Sequence, residues 1–316
     1  MTGTDGTTRT LVGGTTAAAR GRWRAGLGVR LRAVRAFSFP LSALPVLVAT
    51  AAAAPPAQWR WDLLAAAVLG AVLFHAAGNL LNDYFDFRSG VDAKLDGPAG
   101  PGRPLLRREM TAGQVLGQAV GCLILAGGLA AYLAWRRGPV MAALALVAAG
   151  AAYAYTGPPF RLKYRALGEP LIFAVFGPAL MLGAAYAQTG RFEMRVLLLS
   201  IPIGLATTAV LVGNNLRDRE EDLAAGIRTL ARLAGGKVAR WLYVLLVSSA
   251  ALGLAGISLA GIAPITLTAS PLLLVLLARP IKQLWRGRPP GDIDAKTAGF
   301  QAALLLLAFL ALVWNA

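Results

Sequence analysis

Long apolar runs alternate with short polar stretches along almost the whole chain. Nine apolar spans can be drawn, at about 37–55, 62–82, 114–135, 139–156, 168–187, 195–214, 241–261, 263–279 and 298–315. Each approaches the roughly 20 helical residues that cross a bilayer core. Backbone groups in lipid must be satisfied within the span, so the pattern predicts helices and not open strands. The seventh and eighth spans are divided only by the turn at 261–264. The expected fold is all-α and integral to a membrane, with about nine transmembrane helices. Residues 1–35 are Gly/Thr/Ala-rich and then Arg-rich. They predict a disordered tail running into a basic interfacial segment that contacts anionic lipid. No apolar core closed by a cleavage site marks a signal peptide there. Residues 36–316 make up the transmembrane domain.

Composition sharpens this pattern. The chain of 316 residues is 57% hydrophobic and 15% charged, against about 25% charged in a soluble protein. A net charge of +16 suggests nucleic acid until its distribution is followed. With the basic tail inside, the segments 84–113, 157–167, 215–240 and 280–297 share its side, and the tail, these segments and Arg279 together carry 26 of the 31 Lys and Arg. That asymmetry predicts an N-in, C-out orientation and excludes a nucleic-acid partner. Cys122 stands alone in an apolar run, which fits plain helix packing.

The acids gather on the same side, in two clusters that end the second and sixth spans. In the first, Asn79, Asn82, Asp83 and Asp86 stand at i, i+3, i+4 and i+7 and so share one helical face. In the second, Asn214, Asp218 and Asp222 stand at i, i+4 and i+8, with Asn215 and Glu221 alongside. Both clusters begin with Asn and lie four spans apart, which predicts two four-helix pseudo-repeats around a central cavity. Ionisable groups at a membrane helix end are costly unless they face an interior cavity, so both clusters are functional candidates.

Two facing carboxylate rows repel unless a cation joins them. All the ligands are hard oxygens, and the chain has one His and one Cys, so a zinc site of nitrogen and sulfur is excluded. Mg²⁺ fits, because it takes one or two carboxylates and completes its shell with water and phosphate. Arg103, Arg107, Arg161, Lys163, Arg165, Arg217 and Arg228 add cations for phosphate charge. A Mg²⁺-bound diphosphate at the mouth of an apolar cavity implies a substrate with a hydrocarbon tail.

The string Gly78-Asn-Leu-Leu-Asn-Asp-Tyr-Phe-Asp-Phe-Arg-Ser-Gly-Val-Asp92 resembles the first Asp-rich motif of the UbiA superfamily of intramembrane prenyltransferases. It is nearest the branch that prenylates 1,4-dihydroxy-2-naphthoate in menaquinone biosynthesis. The run from Asn214 to Gly235, with its Gly-Ile-Arg-Thr-Leu, resembles the second motif, and the run from Tyr155 to Glu169 resembles that branch's loop between its fourth and fifth helices. The resemblance covers about residues 30–315. It implies that Asn82, Asp83, Asp86, Asp218 and Asp222 hold Mg²⁺ and diphosphate and that Asn79 lines the same pocket. It also implies that Arg35, Arg103 and Lys163, with Asn215 and Arg217, meet the phosphates. Two departures stand out. Gly90 replaces an Asp of other branches, with Asp92 as its substitute, and Arg35-Ala36-Phe37-Ser38 lacks the family's usual proline.

The implied reaction is Mg²⁺-dependent transfer of a prenyl group from an allylic polyprenyl diphosphate to an aromatic acceptor. Dihydroxynaphthoate, with decarboxylation, is the acceptor that the motif wording favours. The implied place is a bacterial-type plasma membrane, with the site at the cytoplasmic face. Hydroxybenzoate, homogentisate or a specialised aromatic metabolite are alternative acceptors. A polytopic transporter of anionic amphiphiles is the competitor from another class. His75, one turn before Asn79, is either a contact for the acceptor or a hydrogen-bonded packing residue. Tyr153 and Tyr155 are either cation contacts or interfacial anchors. Asp292 and Asp294 read as loop solvation.

Overall fold

The structure, a computed structural model, describes residues 26–90, 104–225, 229–287 and 289–316. The tail before residue 26 and the positions of Asp92, Arg103 and Arg228 lie outside the described residues. Among these residues all regular structure is helical. In chain order the long elements are α1 (Pro40–Ala53), α2 (Trp61–Arg88), α3 (Ala112–Arg137), α4 (Pro139–Ala154) and α5 (Gly168–Thr189). They are followed by α6 (Met194–Arg217), α7 (Gly235–Leu259), α8 (Ile265–Leu284) and α9 (Ile293–Trp314). Eight of these are long and apolar enough to cross a membrane, α1 with the turn Ala36–Ser38 included, whereas α4 is apolar but only 16 residues long. Their outward faces are apolar too. Ile124, Leu146, Leu272 and Val275 are each more than 65% exposed, which suits hydrocarbon and not water. The chain is an all-α integral membrane protein.

The elements run longer than the apolar spans because caps and polar ends extend them. Helix α2 continues through the whole first acidic motif to Arg88. Helix α3 starts at a capping box, in which Thr111 Oγ1 accepts from Gln114 N and Gln114 Oε1 accepts from Thr111 N. Helix α9 begins five residues before its apolar run, so Asp294 sits in its first turn and not in a loop. The first half of α8, Ile265–Leu277, is wound as a 3₁₀ helix around Pro271.

Lipid offers helices no hydrophobic drive to associate, so close approach and buried polar pairs do that work. Helix α5 opens into a π-turn at Val175–Ala179, which accommodates Pro178. There it crosses α6 so closely that a Cβ on Gly177 would lie 2.8 Å from Ser200 O and 2.9 Å from Gly204 Cα. Elsewhere Tyr243 and Thr297 share a 2.7 Å hydrogen bond between α7 and α9, and Gln301 Nε2 donates to Thr207 Oγ1 at 2.6 Å between α9 and α6. Helix α9 closes the bundle by packing on α1 as well as on α6.

Candidate functional site

A cavity of about 1130 Å³ runs between the helices. Its polar end gathers the C-terminal turns of α2, α4 and α6 and the N-terminal turns of α1, α5 and α9, so alternating helices present one end of the bundle. Asn79, Asn82, Asp83 and Asp86 line it from α2, and Asn214, Asn215, Arg217, Asp218 and Asp222 from α6 and beyond. Arg35, Tyr155, Lys163, Asp292 and Asp294 complete the rim. Further in, the lining is apolar, with Phe74, Leu133, Met141, Leu144 and Phe176 among it.

Each of the three cations that line this end among the described residues already holds a carboxylate. Arg35 Nη2 lies 2.7 Å from Asp83 Oδ1, and Lys163 Nζ lies 2.7 Å from Asp86 Oδ2 and 3.3 Å from Asn82 Oδ1. Arg217 donates to Asp218 at 2.7 and 3.0 Å and to Asn214 Oδ1 at 2.6 Å, and its Nη1 lies 2.5 Å from Asp294 Oδ2. Asp83 raises the Arg35 guanidinium above its ordinary pKa against the opposing effect of burial. For Lys163, burial works against the charge, but Asp86 and the neighbouring phenols outweigh it and the ammonium is held more firmly than usual. Burial pushes the Asp222 carboxyl up to about 6, although Lys163 pulls the other way.

Local backbone sets these cations in place. Arg35 adopts a left-handed conformation (φ 55°), and the turn carrying Lys163 is bounded by left-handed Arg161 (φ 49°) and Ala166 (φ 57°). Non-glycine residues hold such angles only when their surroundings enforce them. After Arg35 the chain forms a 3₁₀ turn at Ala36–Ser38. The turn forms without the proline that the motif usually carries. Lys163 N donates to Tyr155 O at 2.8 Å, which ties the loop to the end of α4.

The second acidic row differs from the regular helix that its spacing predicts. Helix α6 ends at Arg217, Asp218 caps it, and Asp222 lies on the short helix Arg219–Ala225. The bend keeps the backbone bonds Asp218 N to Asn214 O and Asp222 N to Asp218 O, so the acids still face the cavity. Two further placements depart from the expectations. Asp294 lines the cavity instead of serving as loop solvation, because α9 starts early and places it in the first turn, while Asp292 stands exposed at the rim and pairs with Lys296 at 3.0 Å. Tyr153 lies outside the cavity lining. Its hydroxyl donates to Pro158 O at 2.6 Å and its ring packs edge-on against Phe85.

Several site residues are new. The Tyr164 hydroxyl donates a short hydrogen bond to Asp86 Oδ1. Asn215 Nδ2 donates to the buried Glu169 Oε1 at 3.0 Å. Asn79 Nδ2 donates to Val34 O at 3.0 Å, which fastens the segment before α1 to the motif. Sequence spacing carries no signal for these partners, since each comes from a distant part of the chain.

Among the described residues no three His, Cys, Asp or Glu side chains converge on one metal position. The donor set nevertheless suits a cation shared with phosphate. It is oxygen only, and among the described residues the buried Asp83 Oδ2 has no hydrogen-bond partner, an acceptor left for an incoming ligand. Asp83 and Asp86 from α2, with Asp218 and Asp222 across the cavity, are the groups that would hold Mg²⁺ against a diphosphate.

Residues 42–307 match the UbiA prenyltransferase family. The chain is 35% identical over 232 residues to UbiA prenyltransferase domain-containing protein 1 of Gallus gallus, an alignment covering 72% of this chain and 68% of that protein. It is 31% identical over 242 residues to the 1,4-dihydroxy-2-naphthoate octaprenyltransferase of Bacillus subtilis (strain 168), covering 77% and 75%. A UbiA homolog from Archaeoglobus fulgidus, solved bound to GPP and Mg²⁺, shares the fold at a TM-score of 0.66 and 16% identity, over 90% of this chain and 99% of that one. The likeness extends to animal proteins as well as to the naphthoate enzyme, so it is broader than the single branch that the motifs suggest. The chain belongs to the UbiA prenyltransferase family.

Proposed function

We propose that this protein transfers a prenyl group from an allylic polyprenyl diphosphate to an aromatic acceptor, with 1,4-dihydroxy-2-naphthoate as the acceptor. One observation carries this. Two acidic segments and three paired cations share the polar end of a cavity whose remainder is apolar, which matches a charged head with a hydrocarbon tail. The similarity to a naphthoate octaprenyltransferase supports the acceptor. The concentration of 26 of 31 Lys and Arg on one side supports an N-in, C-out orientation with the site at the cytoplasmic face. The repeated Asn-led acidic segments support two four-helix pseudo-repeats within the catalytic domain 36–316.

Arg35, Lys163 and Arg217 draw the diphosphate to the polar end, and each must exchange a carboxylate for phosphate oxygens as it binds. Bound Mg²⁺ supplies Lewis-acid stabilisation of the leaving diphosphate. The allylic C–O electron pair departs with the diphosphate, whose charge the three cations then face. The apolar lining around Phe74 and Phe176 keeps water from the allylic cation. A ring carbon of the acceptor donates the electron pair of the new C–C bond. Loss of carbon dioxide from a naphthoate, or of a ring proton from another acceptor, restores aromaticity.

The test is incubation of the purified protein with Mg²⁺, a series of allylic diphosphates, and dihydroxynaphthoate, hydroxybenzoate and homogentisate, read by mass spectrometry. Prenylated, decarboxylated naphthoate is the expected product. Product from benzoates alone moves the acceptor to another branch. Absence of product from every pair, or full activity in EDTA, sinks the reaction.

A further inference from the structure

Helix α7 begins and α8 finishes at the polar end of the bundle, and there the two meet through a pair of tryptophans. Trp241, near the start of α7, and Trp285, at the C-cap of α8, pack edge-on with ring centroids 4.9 Å apart. Neither is sequestered: 57% of Trp241 and 42% of Trp285 remain exposed.

An apolar stripe runs away from each ring along the outer surface. On α7, Leu245 and Leu252 follow Trp241 at i+4 and i+11, so the three share one face, and both leucines are exposed. On α8, Val275 and Ala278 stand three residues apart where the 3₁₀ winding gives way to α-helix, and Trp285 lies seven residues further on, so these three also align. Val275 and Ala278 are exposed as well. Trp241 to Leu252 spans about 16 Å at 1.5 Å per residue, close to half of the roughly 30 Å hydrocarbon core. Trp285 to Val275 spans about the same distance. Two stripes of one leaflet's depth, joined at the tryptophan pair, match a molecule with two hydrocarbon chains.

The headgroup level is cationic. Lys237 stands one turn before Trp241, Arg240 Nη2 donates to Gly287 O at 3.0 Å across to the end of α8, and Lys282 and Arg286 flank Trp285. Among the described residues none of these four cations forms an ion pair. Asp292 and Asp294 in the following segment are already taken, by Lys296 and Arg217. Lys282 and Arg286 repel each other at i, i+4, and an anion between the two helices relieves that. Isolated interfacial Trp and Lys anchor a helix without choosing a lipid. Here both kinds of side chain come from two helices onto one spot.

We propose that the cleft between the polar ends of α7 and α8 seats one anionic, two-chain phospholipid, at a place separate from the central cavity. Lys237, Arg240, Lys282 and Arg286 hold the phosphate headgroup, with the lysine stems lying along apolar surface so that their ammonium groups reach it. The tryptophan pair sits beneath, and one acyl chain follows each stripe. This assignment does not depend on the reaction proposed above.

The experiment is native mass spectrometry of the full chain in detergent, titrated with phosphatidylglycerol, phosphatidylcholine of the same acyl chains, and lysophosphatidylglycerol. Wild type is compared with Lys282→Gln/Arg286→Gln and with Arg30→Gln/Arg88→Gln, which removes two exposed cations elsewhere in the chain. The first phosphatidylglycerol should bind wild type about tenfold or more tighter than phosphatidylcholine, and tighter than the one-chain lipid. It should weaken about tenfold or more in Lys282→Gln/Arg286→Gln, the scale of two cations at an anionic surface, and by less than about twofold in Arg30→Gln/Arg88→Gln. A photoreactive phosphatidylglycerol should label peptides of α7 and α8 in wild type, a readout that needs no variant to fold. Equal affinity for the three lipids overturns the seat, as does equal loss in the two double variants or labelling confined to other helices. A lipid-free dimer that Trp241→Ser/Trp285→Ser breaks would give this face to a second copy and overturn it as well.

Discussion

Arg217 at the end of α6 reaches Asp294 in the first turn of α9, with Nη1 and Oδ2 2.5 Å apart. The same guanidinium holds Asp218 and Asn214. One side chain therefore fixes the second acidic segment against the last helix, at the rim where the diphosphate is proposed to bind. Both partners keep about a quarter or more of their side-chain surface exposed, so the pair positions more than it stabilises.

Asp294→Asn is accordingly expected to change unfolding stability by less than about 1 kcal/mol. Its effect should appear instead as a rise of about fivefold or less in the KM for the allylic diphosphate, with kcat preserved. Steady-state kinetics on the detergent-purified variant check this. A large fall in kcat at unchanged KM would mean that Asp294 acts on the chemistry itself.

Asp83→Ala and Asp218→Ala remove carboxylates proposed to hold Mg²⁺, and each should lower turnover by about 10²-fold or more while the protein stays folded. Circular dichroism and size-exclusion profiles in detergent confirm the folding. Substantial transfer by both variants would contradict the mechanism.

Arg35→Met leaves the Asp83 carboxylate buried beside no cation of its own. The cost of breaking a buried pair is about 3–5 kcal/mol, and it should be smaller here because 31% of the Arg35 side chain is exposed. Asp83→Asn added to Arg35→Met should recover part of that loss, as measured by thermal unfolding. No recovery in the double variant would show that the pair does not set the stability.

The raised pKa of Asp222, about 6 and caused first by burial, gives the metal-free protein a pH dependence of definite sign. Between roughly pH 4 and 6 the folded state binds this proton more tightly than the unfolded chain does. The group therefore costs stability above pH 6, and the cost is relieved as pH falls towards 4. In EDTA, Asp222→Asn should be more stable than wild type at pH 7, and the difference should shrink by pH 4.5. Thermal unfolding across this range decides it, and a difference independent of pH would count against the shift.

Gly177→Ala tests the crossing of α5 and α6. Its Cβ would meet the backbone at Ser200 O, 2.8 Å away, and backbone cannot rotate aside as a side chain can. Overpacking of this kind costs about 1–3 kcal/mol. A drop in melting temperature in detergent is expected, whereas Gly256→Ala, with open space around its Cβ, should show none.

The membrane-spanning character and the first acidic row were legible in the chain because both depend on local order. An apolar run of about 20 residues is costly outside lipid wherever it occurs, and a 3.6-residue period puts Asn79, Asn82, Asp83 and Asp86 on one face without reference to anything distant. The second row was only half legible. Its spacing suits a helix, yet the chain bends at Asp218, where α6 ends and Arg217 grips the Asp218 carboxylate.

What the sequence by itself determined, then, was which segments enter the membrane and which residue types wait at their ends. The partners were decided by tertiary structure alone. Tyr164 finds Asp86, Asn215 finds Glu169, Arg217 finds Asp294, and His75 settles between Ser38 and Ser42. Each pair joins elements well separated in the chain, and whether two such elements touch depends on how closely the helices pack. That closeness is set by features such as the bare backbone contact at Gly177 and Gly204, which no local period encodes.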